Sequence, residues 1–97
     1  MAMHHPPHPG EFIREVYLSP HGASVRALAA SLAAAPATAM RVVDGSRRVN
    51  AEMALRLAKA LGRTPESWLA MQYNHDLWHA KRRVNLGNVE RLKLTAA

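Results

Sequence analysis

Residues 24–45, SVRALAASLAAAPATAMRVVDG, decide the fold. Ser24 is a good helix N-cap, and Val25, Leu28, Ala29 and Leu32 follow at i, i+3, i+4 and i+7, which makes a one-sided apolar stripe. Three alanines (33 to 35) separate that helix from Pro36, a residue suited to the first turn of a new helix because its missing N–H would be unpaired anyway. The second helix runs to about Val43 and stops at Asp44-Gly45, where glycine can take the left-handed cap. Two short helices joined by a tight turn have the layout of a helix-turn-helix. Ala29 supplies the small residue at the crossing, and Leu28, Leu32, Ala39 and Val42 supply the apolar anchors. Nearly every side chain of the second helix is small, so it is either an under-filled core helix or one built to approach something closely.

Working outward, residues 1–9 read as an extended arm, because Pro6, Pro7 and Pro9 oppose a helix there. A helical pattern begins at Gly10, with Phe12, Ile13, Val16 and Tyr17 on one face, and breaks at Pro20 and Gly22. Beyond the central pair, Asn50 caps a fourth helix with Met53, Ala54, Leu57, Ala58 and Leu61 inward and Gly62 as its stop. Thr64-Pro65-Glu66 opens a fifth, whose expected buried face is Trp68, Leu69, Tyr73 and Leu77. After Ala80 the pattern decays, and VERLKL (89–94) suits a short strand or a frayed helix. The expectation is an all-α, compact five-helix fold in three parts: an arm at 1–9, a helix-turn-helix domain at 10–80 and a basic tail at 81–97.

The bulk composition agrees. The 97 residues suit one small domain, and the 48% hydrophobic content, mostly alanine and leucine, favours helix. Without cysteine there is no disulfide, thiolate metal site or thiol nucleophile. The N-terminus has no basic-then-apolar leader pattern and no run approaches a membrane span, so the expected location is the cytoplasm. Thirteen Lys and Arg against seven Asp and Glu give a net charge of +6, which favours an anionic partner, nucleic acid first. The basic residues gather between 41 and 63 (Arg41, Arg47, Arg48, Arg56, Lys59, Arg63) and at Lys81, Arg82 and Arg83.

HPGE at His8–Glu11, the Pro-Ala-Thr entry at 36–38, the Asp-Gly stop followed by basic residues, MALRLAKALG at 53–62 and TPESWLAMQ at 64–72 occur in order. Together they resemble the HigA-type antitoxins, a branch of the lambda-repressor-like (Xre) helix-turn-helix regulators, over about residues 8–80. The resemblance implies a lambda-repressor-like DNA-binding domain, usually a homodimer, that represses its own operon. It also implies binding and silencing of a HigB-type ribonuclease toxin encoded beside it.

In such a motif the second helix enters the major groove, with its N-terminal residues nearest the bases. With Ala39, Val42 and Val43 inward, Ala37, Thr38 and Arg41 face outward as base-reading candidates. Arg41 suits guanine, Thr38 a base edge or phosphate, and Ala37 a thymine methyl. Ser24, Arg26, Ser46, Arg47 and Arg48 are the phosphate-binding candidates that fix register. Three positions depart from the family pattern: Val25 for a polar residue, Ala33 for a turn glycine and Asp44 for asparagine. The expected partner is operator DNA carrying an inverted repeat.

The histidines His4, His5, His8 and His21 do not have a helical ligand spacing, so the sequence assigns no metal, and it implies no cofactor. An arm that orders on a partner is the simpler reading. Trp68 reads as core; Trp78 suits either core or a dimer seam. His75, His79 and Lys81 invite a ribonuclease reading, but no phosphate cradle or nucleophile–base pair accompanies them, so the sequence assigns no catalysis. A further alternative is a toxin-holding module, or a lone regulator, with little specific DNA affinity, a reading that Val25 and Asp44 favour.

Overall fold

The structure, a computed structural model, describes residues 5–95. Five α-helices, α1 (Pro9–Ile13), α2 (Val25–Leu32), α3 (Pro36–Val43), α4 (Ala51–Leu61) and α5 (Pro65–Arg83), form the body, with no strand among the described residues. A π-helical turn (Arg14–Leu18) and a 3-10 turn (Ser19–His21) extend α1. The expected caps act as such: Ser24, Asn50 and Thr64 accept from the backbone N–H groups of Ala27, Met53 and Ser67. The core joins Ile13, Leu28, Leu32, Val42, Val43, Val49, Met53, Leu57 and a fully buried Trp68, whose indole N–H donates to the Gly62 carbonyl at 3.0 Å.

Helix α1 starts one residue before Gly10 for a reason lying in the HPGE motif. The Nδ1 of buried His8 accepts from the Gly10 N–H at 2.9 Å, and Pro9 fills the first helical position. Gly10 then rests on the end of α3: a Cβ there would overlap the Val42 carbonyl oxygen outright and come within 2.7 Å of that of Val43. The start of the first helix is thereby seated on the last turn of the third.

Four expectations are corrected. Val16 is 43% exposed, because the π-helical turn places it outside the stripe of Phe12 and Ile13. Tyr73 and Leu77 are 58% and 54% exposed; the buried stripe of α5 passes instead through Trp68 and Gln72. Helix α5 continues past Ala80, so Lys81, Arg82 and Arg83 form its last turn, where cations suit the dipole. Segment 89–94 is neither strand nor helix. The expected arm is described from His5 onward, with 5–8 in irregular conformation; residues 1–4, including His4, and 96–97 lie outside the described residues.

Ala33 ends α2 at φ 53°, ψ 42°, a left-handed conformation that costs an L-residue about 1 kcal/mol. Ala33→Gly is therefore expected to stabilise the fold by about 0.5–1 kcal/mol, read as a higher urea midpoint at unchanged m-value.

Candidate nucleic-acid interface

Helices α2 and α3 are joined by the Ala33–Ala35 turn, which closes through Ala33 N–H to Ala30 carbonyl (3.1 Å) and Ala34 N–H to Ala29 carbonyl (3.0 Å). Arg56 reaches across from α4 and donates to the carbonyls of Leu32 (2.9 Å) and Ala33 (2.8 Å), while Glu52 holds its other nitrogen. A cation on the C-terminal carbonyls of α2 satisfies orphan acceptors and complements the dipole. Ala29, Ala39 and Val42 are buried at the crossing. The small residues thus serve both surfaces of α3: they let its inner face close on α2 and leave its outer face low.

On that outer face Ala37 and Arg41 are exposed and Thr38 is half-buried. Met40, half-exposed beside Arg41, belongs to the same surface and was missed in the sequence because its apolar side chain reads as core. Ser24 and Arg26 lie exposed at the start of α2, and Ser46, Arg47 and Arg48 after α3.

The basic residues between 41 and 63 do not act as one patch. Arg56 is spent on α2, Arg63 lies over the Phe12 ring at 5.0 Å, and Arg48 is ion-paired with Asp76 at 2.7 Å. A phosphate would have to compete with Asp76 for Arg48. Arg26, Arg41 and Arg47 form no ion pair with the described residues, so they carry the unneutralised charge around α3.

Asp44 accepts from the Ser46 N–H at 2.9 Å, and the Ser46 hydroxyl donates toward the Arg41 carbonyl at 3.5 Å. The hydrogen bonds from Ser46, assisted by the Arg41 charge, hold the Asp44 carboxyl below its ordinary value. It is therefore an anion at neutral pH, where an asparagine would make the same turn without the charge.

At the other end of the HPGE contact, burial and then the adjacent His75 hold the His8 imidazole below its ordinary value near 6.5; Asp76, the Arg47 backbone and Asp44 oppose this. Neutral His8 keeps the Nδ1 lone pair that caps α1, and its Nε2 finds no partner among the described residues. The unfolded chain takes up a proton at this position near pH 6.5 and the native chain does not. Stability from His8 is accordingly full above that pH and lost as pH falls through the lower native value. Urea unfolding at several pH values in metal-free buffer is expected to show a steeper acid loss for the wild type than for His8→Asn, which keeps a capping oxygen without the titration.

An exposed outer face bearing Arg41, on the second of two tightly crossed helices, is the layout of a helix-turn-helix protein. No protein-family model matches the chain. It is 44% identical over 70 residues to virulence-associated protein I of Dichelobacter nodosus, spanning 72% of this chain and 65% of that protein. It is 36% identical over 74 residues to antitoxin HigA-1 of Vibrio cholerae, spanning 76% and 70%. Among solved structures it is similar to antitoxin GraA, at 39% identity and a TM-score of 0.86 over 93% of this chain and all of the other. It is also similar to Pseudomonas aeruginosa antitoxin HigA with the higBA promoter, at 31% identity and a TM-score of 0.75 over 79% and 84%. The chain belongs to the HigA family of helix-turn-helix antitoxins and transcriptional regulators.

Proposed function

We propose that the chain is a sequence-specific DNA-binding repressor of its own operon and the antitoxin of a HigB-type ribonuclease toxin, acting as a cytoplasmic homodimer without catalysis. The observation that carries the DNA reading is the outer face of α3, where Ala37, Met40 and Arg41 are exposed and Thr38 is half-buried, beside Arg26 and Arg47, which form no ion pair with the described residues. Thr38 and Arg41 would meet base edges, Arg41 as a fork on guanine, with Ala37 and Met40 against thymine methyls. Arg26, Arg47 and the Ser24 and Ser46 hydroxyls would grip phosphates, with Arg48 joining them only by leaving Asp76. The solved Pseudomonas aeruginosa antitoxin HigA with its promoter supports the same role for this fold. No helix is long and apolar enough to cross a membrane.

Tyr73 and Leu77, one turn apart on α5, form with Ala80 an exposed apolar strip that suits a two-fold partner using the same patch. A reporter fused to the DNA upstream of the gene tests the regulatory reading. Repression by the wild type, lost in a Tyr73→Asp variant that sediments as a monomer, is the expected result. An unaffected reporter would overturn it in favour of a protein-holding module.

A further inference from the structure

The His5 side chain folds back onto α5, far from it in sequence. Its Nε2 lies 3.1 Å from the Nε2 of His79, and one ligand nitrogen from each of His5, His75 and His79 falls within 4.8 Å of the others. His75 and His79 are one helical turn apart on the same face of α5. From these positions we propose that His5, His75 and His79 form a three-histidine site for a divalent transition-metal ion of the zinc class, which fastens the N-terminal arm to α5.

The geometry and chemistry fit such an ion. Tetrahedral zinc with Zn–N bonds of about 2.0–2.1 Å requires ligand nitrogens about 3.3 Å apart. The His5–His79 pair already stands near that spacing, and His75 closes on it by a side-chain movement. Asp76 Oδ1 lies 3.4 Å from His75 Nδ1, the carboxylate–imidazole arrangement that orients a ligating histidine and leaves its Nε2 for the ion. Trp78, with its ring 4.2 Å from that of His5, walls one side. Water completes the coordination. Because His8 follows closely and caps α1 against α3, the ion would brace the arm behind the α3 face, although the site itself does not depend on the DNA reading.

The test is a titration of the tag-free full chain with Co²⁺, followed by its visible absorption, with displacement by Zn²⁺ and Mg²⁺ as the control ion. One Co²⁺ per chain with tetrahedral bands, displaced by Zn²⁺ and not by Mg²⁺, is the expected result. His5→Gln and His79→Gln should each weaken binding by about 100-fold or more, while His21→Gln, remote from the cluster, should leave it unchanged. Circular dichroism of the variants would establish that each remains folded. Absence of Co²⁺ binding to the wild type would overturn the proposal. Equal affinity in His5→Gln would also overturn it, since the ion would then rest on the α5 pair alone and hold no arm.

Discussion

Gly10→Ala is expected to cost about 3 kcal/mol and to lower the melting temperature by about 15 °C, because Gly10 is the one glycine of the chain where an added Cβ would meet other atoms closer than 3.0 Å. The added carbon would meet backbone, not a movable side chain: the carbonyl oxygens of Val42 and Val43 stand where it would go. Relief would require α1 to lift from α3, which also pulls His8 from its buried place and exposes Ile13. Differential scanning calorimetry of the two proteins checks this. An unchanged melting temperature would mean that α1 does not sit on α3 as described. A rise in DNA dissociation constant beyond that explained by unfolding is also expected, because α3, which loses the support of α1 on its last turn, carries Thr38 and Arg41.

Arg41→Ala should weaken binding to the specific operator by about 1–3 kcal/mol, a factor of about 5 to 150, while leaving stability nearly unchanged. Arg41 is exposed and makes no ion pair with the described residues, so removing it takes away no fold contact of that kind. The discriminating comparison is with Arg47→Ala. A base-reading arginine lost from α3 should relax sequence preference. A phosphate-binding arginine lost from the following loop should weaken all sequences alike and reduce the salt slope by about one. Competition binding with single base-pair variants of the operator separates the two outcomes. Identical behaviour of the two variants would remove Arg41 from the reading surface.

Much of the fold is legible because its punctuation is local. Ser24, Asn50, Thr64, Pro36 and Pro65 each act within one turn, and those positions hold in the structure. The face buried by α5 is less legible, because two i, i+4 stripes start at Trp68-Leu69 and apolarity favours the wrong one. Tyr73 and Leu77 continue the Leu69 stripe, whereas the buried stripe runs from Trp68 to Gln72. Gln72, a polar residue, is fully buried because its Oε1 accepts from the Val49 N–H at 2.7 Å and its Nε2 donates to Asp76 at 3.0 Å. The bond to Asp76 is an i, i+4 pair within α5, whereas that to Val49 crosses between distant segments and leaves no periodic trace. The same is true of Arg48 with Asp76 and of His5 with His79. The i, i+4 spacing of His75 and His79 was the visible half of the histidine cluster; the half supplied by the arm required the fold. On α3 the outward positions of Ala37 and Arg41 follow from helical geometry alone, but that of Met40, and which surrounding arginines form no ion pair with the described residues, do not.

The measurement that bears most directly on the central claim is fluorescence anisotropy of the wild-type chain on a labelled duplex from the DNA upstream of its gene. An unrelated duplex serves as control, and both are measured at two salt concentrations. The account predicts specific binding about 10³-fold or more tighter than to the control, with affinity falling by about 0.9 log units per log unit of salt for each phosphate neutralised. Weak binding, equal on the two duplexes, would contradict it.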